Sequence, residues 1–259
     1  MAEDILNRLA AAAKRRVVAQ KREVTLSEMK RRAEEALDRQ SFLEALRRPG
    51  MSYICEIKRA SPSRGLIAAD FPYGEIAQEY EGAGAGAISV LTEPEFFLGS
   101  DRYLKEIAAK AGIPVLRKDF TVDEYMIYQA KALGASAVLL IVSLLDERRI
   151  RDYRLLAEEL GMDALVEAHS DEETVIALDS GAKIIGVNNR NLRNFTVDTE
   201  NSVALRHLVP PDVVFVSESG IRTAGDVRKL KEAGVDAVLI GETLMRSGDK
   251  AGMLKELDG

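Results

Sequence analysis

Glu56 and Lys58 stand two residues apart where a short apolar run, 52–58, gives way to a loop rich in Ser, Pro and Gly. Side chains along a strand alternate between faces, so the acid and the base project together while Cys55 and Ile57 project the other way. A carboxylate beside an ammonium costs free energy to bury unless the pair has a partner or a task. Taken alone, the pair reads as a structural ion pair ahead of a proton-transfer site. Other apolar runs end in the same manner. Leu116 leads into Arg117-Lys118-Asp119-Phe120, Val166 into Glu167-Ala168-His169, and Val187 into Asn188-Asn189-Arg190. Val216 leads into Ser217-Glu218-Ser219-Gly220-Ile221, and Ile240 into Gly241-Glu242-Thr243. Lys and Glu are the residue types of general acid–base chemistry, and Arg offers a planar two-donor fork for a carboxylate.

The elements that would hold these groups are visible as a repeat. Six times a helix runs out at a small residue plus Gly and an apolar strand follows: at Ala83-Gly84, Ala111-Gly112, Leu133-Gly134, Leu160-Gly161, Ser180-Gly181 and Ala233-Gly234. Gly takes the left-handed conformation that ends a helix, and unbroken apolar runs mark strands buried on both faces of a parallel sheet. Thr121-Val122-Asp123-Glu124 and Ser170-Asp171-Glu172-Glu173 read as capping boxes, with Asp146 and Thr223 capping two more helices. Adding strands at 52–58 and 213–217 gives eight strand–helix units. That count predicts an α/β fold, a single (β/α)8 TIM barrel over residues 49–259, with no second domain.

Residues 1–48 read as an N-terminal helical extension packed on the barrel. Ile5, Leu9 and Ala12-Ala13 share one helix face, Thr25-Leu26-Ser27-Glu28 opens a second helix, and Pro49-Gly50 closes the section. Its many basic residues, interleaved with acids, read as a solvated face. Having no place in the eightfold count, the extension is expected to lie across the strand mouths as a partial lid. Barrel active sites open at those mouths. Ionisable groups at five of them exceed what a structural barrel needs.

Composition narrows the partners. With 46% hydrophobic and 30% charged residues, the chain of 259 can bury a sizeable core. A net charge of −6 argues against nucleic acid or an acidic membrane as partner, so an anionic ligand needs a local cluster of cations. One Cys excludes an intrachain disulfide, and two His with that Cys argue against structural zinc. No apolar run approaches the roughly 18 residues of a membrane span. Met1-Ala2-Glu3-Asp4-Ile5 lacks the basic-then-apolar order of a secretory signal, so a cytoplasmic protein is expected, and a monomer. Gly220 and Gly241, in the loops after the seventh and eighth strands, would let main-chain N–H groups approach a phosphate, although tight turns alone would also use them.

Several stretches together resemble indole-3-glycerol phosphate synthase. They are Glu56-Ile57-Lys58-Arg59-Ala60-Ser61-Pro62-Ser63, Leu91-Thr92-Glu93, Phe97-Leu98-Gly99-Ser100 and Arg117-Lys118-Asp119-Phe120, then Val166-Glu167, Gly186-Val187-Asn188-Asn189-Arg190, Ser217-Glu218-Ser219-Gly220-Ile221 and Leu239-Ile240-Gly241-Glu242-Thr243-Leu244-Met245. The resemblance runs from the extension to the last helix. It implies an enzyme that closes the indole ring of 1-(o-carboxyphenylamino)-1-deoxyribulose 5-phosphate in tryptophan synthesis, losing carbon dioxide and water, with no cofactor or metal. It further implies Lys118 as general acid, Glu167 as base or acid–base group, and Lys58 as carboxylate ligand or second acid tuned by Glu56. Asn188 and Arg190 would orient the substrate carboxylate, Phe97 and Phe120 would flank its ring, and Ser61, Ser219, Gly220, Gly241, Glu242 and Thr243 would hold the phosphate. A carboxylate beside a phosphate is unfavourable, so only the Glu242 main-chain N–H is given to binding, with its side chain turned out. Clustering of Lys58, Lys118 and Arg190 is expected to lower the lysine pKa values, with the Glu neighbours opposing.

Alternation sends Cys55 into core packing, His169 continues the Glu167 face, and His207 lies on a surface helix. Two rival readings remain: a non-catalytic sugar-phosphate-binding barrel, which has no use for both lysines, and a phosphoribosylanthranilate isomerase-like enzyme, which wants an Asp near the sixth strand where Asn188 and Arg190 stand.

Overall fold

The computed structural model describes residues 5–191 and 195–259, so residues 1–4, on which the reading of the N-terminus rests, lie outside it. Eight parallel strands close into a barrel in sequence order: β1 (Ser52–Ile57), β2 (Ala87–Leu91), β3 (Val115–Lys118), β4 (Ala137–Ile141), β5 (Asp163–Ala168), β6 (Ile184–Asn188), β7 (Val214–Glu218) and β8 (Ala237–Ile240). The ring closes where Cys55 of β1 pairs with Ile240 of β8. Helices cover the outside: α4 (Tyr73–Gly82), α5 (Asp101–Ala108), α6 (Glu124–Ala132), α7 (Glu147–Glu159), α8 (Asp171–Asp179), α9 (Glu200–Leu205), α10 (Ala224–Glu232) and, after β8, the short α11 (Glu242–Arg246) with α12 (Lys250–Asp258). Among the described residues no helix is long and apolar enough to cross a membrane.

Strand alternation sorts the apolar side chains into two cores. Cys55, Ile88, Val138, Val166, Ile185, Phe215 and Val238 pack outward against the helices. Ile54, Leu116, Leu139, Leu165, Ile184, Val216 and Leu239 fill the barrel interior. The helix-ending glycines behave as expected at Gly84, Gly134, Gly161, Gly181 and Gly234, all at positive φ; Gly112 is the exception, and there Glu81 accepts the main-chain N–H at 3.0 Å instead. Thr25, Asp146 and Ser170 cap their helices, and Thr223 forms a full capping box with Asp226. Thr121 does not cap. Asp123 takes that place, accepting the Tyr125 N–H at 2.9 Å. Glu173 likewise turns from the Ser170 box to the His169 main-chain N–H at 2.8 Å.

The N-terminal helices cover more than the mouth. Leu6, Leu9, Ala13 and Val17 of α1 (Ile5–Glu23) bury against the interior core near Phe120 and Val122, at the strand mouths. Arg16 there pairs with Asp119 at 2.6 Å. From there α2 (Leu26–Glu34) runs along α6 on the barrel flank. The last helix, α3 (Phe42–Leu46), plugs the opposite end, with Phe42 and Leu46 against Ile54, Ile184 and Val214. Asp163 at the start of β5 anchors it, accepting the Leu43 N–H and the Ser41 hydroxyl, each at 2.9 Å.

Candidate active site

A cavity of about 580 Å³ opens at the C-terminal ends of the strands. It is lined by Glu56, Lys58, Ser61, Phe97, Lys118, Phe120, Glu167, Asn188, Arg190, Ser219, Gly220, Gly241, Glu242 and Thr243, so the whole set named from sequence meets in one place. Ile5 and Leu9 of α1 form part of the wall.

At its floor lies a cluster of buried charge. Strand β3 ends with Lys118 pointing inward, and its Nζ lies 3.1 Å from Glu167 Oε2 on β5 and 3.2 Å from Glu218 Oε2 on β7. In an eight-stranded ring, β3 and β7 face each other, so the lysine spans the lumen. On β1, Glu56 Oε1 holds Lys58 Nζ at 2.5 Å. Gly186 and Gly241 leave space for this chemistry. A Cβ on Gly186 would strike Glu218 Oε1, and one on Gly241 would strike Glu56 Oε1 and sit 3.0 Å from Lys58 Nζ. Gly241 therefore makes room for the ion pair as well as for any anion. Gly220 is constrained differently: its φ is +89°, and a Cβ would collide with Val197 of the neighbouring loop. Ser219 beside it has φ 70°, a strained conformation for a residue with a side chain.

The charges set one another's protonation. Burial pulls the Lys118 ammonium down, but the carboxylates of Glu167, Glu218 and Glu56 outweigh it, and its pKa is raised above the ordinary value. The expectation of lowered lysine pKa values thus fails at Lys118, because the nearest charges are acids and not Lys58 or Arg190. Burial works against the Glu167 carboxylate too, yet Lys118 and His169 hold its pKa below the ordinary value, with the Asn188 amide adding to the effect. Glu218 is driven mainly by burial, and against Lys118 its pKa rises to about 7. One shared lysine thus leaves one carboxylate ionised and the other poised near neutrality.

The rim divides by chemistry. Phe97 and Phe120, following β2 and β3, stand with ring centroids 6.0 Å apart. Across the mouth, after β7 and β8, come Ser219, Gly220 and Gly241 with Arg222 and Arg246, joined by Arg64 from the loop after β1. Glu242 is not simply turned out: Arg64 and Arg246 hold it at 3.2 and 3.1 Å, which neutralises the carboxylate beside the loops after β7 and β8. Thr243 donates its hydroxyl to the Ile221 carbonyl at 2.7 Å. Asn188 Oδ1 accepts the Arg190 main-chain N–H at 3.0 Å. Among the described residues no group of three His, Cys, Asp or Glu is placed to hold a metal ion.

Sequence reasoning placed Glu218 at a strand mouth but gave it no role, and it missed the three arginines. Glu218 ends an apolar run in phase with the inward Val214 and Val216, the same signal that Glu167 carries, so alternation could have found it. The arginines sit in loops and helix turns, where no period predicts direction.

The sequence model of the indole-3-glycerol phosphate synthase family matches residues 6–257. The chain is 54% identical over 257 residues to the indole-3-glycerol phosphate synthase of Ruminiclostridium cellulolyticum, covering 98% of this chain and 99% of that one. It is 57% identical over 220 residues to that of Lachnoclostridium phytofermentans, covering 85% and 81%. Among solved structures, 3-hexulose-6-phosphate synthase is similar with a TM-score of 0.66 at 17% identity, over 80% of this chain and 98% of that one, which bears on the fold alone. Barrel, mouth residues and a match along nearly the whole length agree, and the chain belongs to the indole-3-glycerol phosphate synthase family.

Proposed function

We infer that the chain closes the indole ring of 1-(o-carboxyphenylamino)-1-deoxyribulose 5-phosphate, releasing carbon dioxide and water, and that the cavity at the strand mouths is where it does so. The observation that carries this reading is Lys118, held inside the cavity between the buried carboxylates of Glu167 and Glu218. Ring closure places negative charge on the substrate's carbonyl oxygen as the carbon–carbon bond forms. Lys118, kept protonated by its carboxylate neighbours, donates to that oxygen. An ammonium with a raised pKa is a weak acid until an alkoxide develops beside it, so donation is tied to the transition state. Carbon dioxide then leaves from the ring carbon that added to the carbonyl carbon, and the bonding pair it leaves behind restores the aromatic ring. Loss of the new hydroxyl as water needs an acid for the leaving oxygen and a base for the departing proton. Glu167 is ionised and in place as the base, and Lys58, steadied by Glu56, serves as carboxylate ligand or second acid.

Substrate orientation follows from the two sides of the mouth. Phe97 and Phe120 flank the aromatic ring, with Asn188 and Arg190 on its carboxylate. The phosphate goes to the opposite side, with Ser61, Ser219, Gly220 and Gly241. Glu242 and Thr243 contribute their main chain, whose first-turn N–H groups lack partners within the helix. The test is appearance of indole fluorescence on mixing the carboxyphenylamino substrate with the protein, against a low background because the chain has no Trp. Stabilisation by inorganic phosphate without turnover would instead identify a sugar-phosphate binder.

A further inference from the structure

Beside Glu167 stands an imidazole with no part in the ring closure. His169 follows β5 directly, and its ring is wedged between two carboxylates. Nδ1 lies 3.2 Å from Glu173 Oε2, and Nε2 lies 3.5 Å from Glu167 Oε1. Glu173 is itself fixed, because the same oxygen accepts the His169 main-chain N–H at 2.8 Å. Asn201 of α9 donates to the His169 carbonyl at 3.3 Å. Nε2 is shut off from solvent and has no hydrogen-bond partner among the described residues. The other oxygen of Glu167 is already taken by Lys118 at 3.1 Å.

Proton counting shows what this geometry favours. A carboxylate can only accept, so Nδ1 carries a proton toward Glu173. In a neutral ring Nε2 is then a bare lone pair aimed at a second carboxylate away from water, which is repulsive. A proton on Nε2 turns the same contact into a charge-assisted attraction. The ionisable groups facing the ring are Glu167 from β5, Glu173 from α8 and Glu218 from β7, with Lys118 of β3 beyond Glu167. Burial alone pushes the imidazole down, but the bond to Glu173 and the three carboxylate charges outweigh it, and its pKa is raised.

We propose that His169 is a positioning residue for Glu167: as an imidazolium anchored on Glu173, it holds Glu167 Oε1 while Lys118 holds Oε2, keeping the carboxylate ionised and aimed into the cavity. The proposal rests on the role given to Glu167 above. A histidine with a raised pKa is charged below that pKa and loses its charge as pH rises through it, so the support fails, and kcat falls, on the alkaline side.

The chain has two histidines, so imidazole NMR of the whole protein reads His169 beside the exposed His207, and H169Q identifies the signal. The His169 ring should stay doubly protonated to higher pH than the His207 ring, and E173Q should lower its titration point. In kinetics, H169L should lose roughly tenfold or more in kcat through misplacement of Glu167, with KM little changed. H169Q sets an N–H near the Nε2 position without titrating, so it should recover most of kcat and flatten the alkaline limb. E173Q should move that limb to lower pH. A His169 ring that becomes neutral at or below the His207 titration point overturns the proposal, as does a wild-type kcat and pH profile in H169L. Glu167→Gln separates the two layers. An active E167Q removes the role of Glu167 and the proposal with it, while an inactive E167Q beside a fully active H169L removes His169 alone.

Discussion

Arg117 and Lys118 are neighbours in sequence, yet each centres a different buried charge cluster. Arg117 points outward, between the barrel and its helices, and every side of its guanidinium is used. Nε donates to Thr92 at 3.1 Å, Nη1 to the Met126 carbonyl at 2.9 Å, and Nη2 to Asp101 and Gln129 at 2.8 Å each. Asp119 completes the set, accepting from Thr92 at 2.5 Å and from Arg16 of α1 at 2.6 Å. Lys118 points inward, and its cluster is under-partnered: Glu218 Oε1 and His169 Nε2 have no hydrogen-bond partner among the described residues. Burial of charge therefore does not by itself mark a site. A satisfied network specifies the packing of α1, β3 and α6, whereas Glu218 Oε1 in the cavity wall keeps an acceptor free and His169 Nε2 is left facing Glu167.

The largest expected effect tests the inward cluster. Lys118→Ala should lower kcat by on the order of 10²- to 10⁴-fold while substrate still binds. Lys118→Arg should not rescue it, since a guanidinium holds its proton too tightly to donate. A folded Lys118→Ala protein with near-normal kcat would sink the role of that residue. The outward cluster should respond in the other observable. Arg117→Ala takes the cation from Asp101 and the donors from Thr92, Gln129 and the Met126 carbonyl, and breaking a buried pair in this way costs about 3–5 kcal/mol, read from the urea midpoint. Its kcat should stay within a few-fold while the protein is folded. Unchanged stability with lost activity would erase the distinction between the two clusters.

Smaller effects sharpen the contrast. In the proposed orientation Arg190 grips a carboxylate present throughout binding, so Arg190→Ala should raise KM by roughly 10- to 100-fold, the worth of one charged hydrogen-bonding partner. A fall confined to kcat would place Arg190 in the chemistry instead. The last effect is on pH dependence. The Glu218 pKa lies at about 7 in the folded chain against an ordinary 4.5, so the folded state binds the extra proton in that window. Stability contributed by the protonated form is present below 4.5 and is lost as pH rises through about 7. Glu218→Gln should remove that slope, leaving the variant more resistant than wild type to urea at pH 8 and little different at pH 5. Parallel curves for the two proteins would show that Glu218 is ionised throughout.

Local periodicity explains what could be read without a structure. Alternation at Glu56 and Lys58 correctly sends Cys55 into the helix-facing core. Helix-ending glycines and most caps obey rules spanning three or four residues, and they hold at Thr25, Asp146, Ser170 and Thr223. Thr121 failed because Asp123, two residues on, is the better-placed acceptor, a choice among adjacent candidates that composition alone does not rank. The plug formed by α3 was missed for another reason. Its five residues are too few for a helical period, and its anchor is Asp163, 120 positions away from Leu43.

By itself, the sequence determined the eight βα units, which strand ends carry ionisable groups, and which of those share a face. These follow from spacings of two to four residues along one chain, where geometry is nearly independent of context. Tertiary structure alone decided that Lys118 reaches both Glu167 and Glu218, that Glu242 lies between two arginines, and that the lysine pKa goes up and not down. Those outcomes depend on closing the ring, which brings β3 opposite β7 and sets charges 100 residues apart within 3.2 Å. Coulomb energy follows distance and burial, and neither is a property of the chain until it is folded.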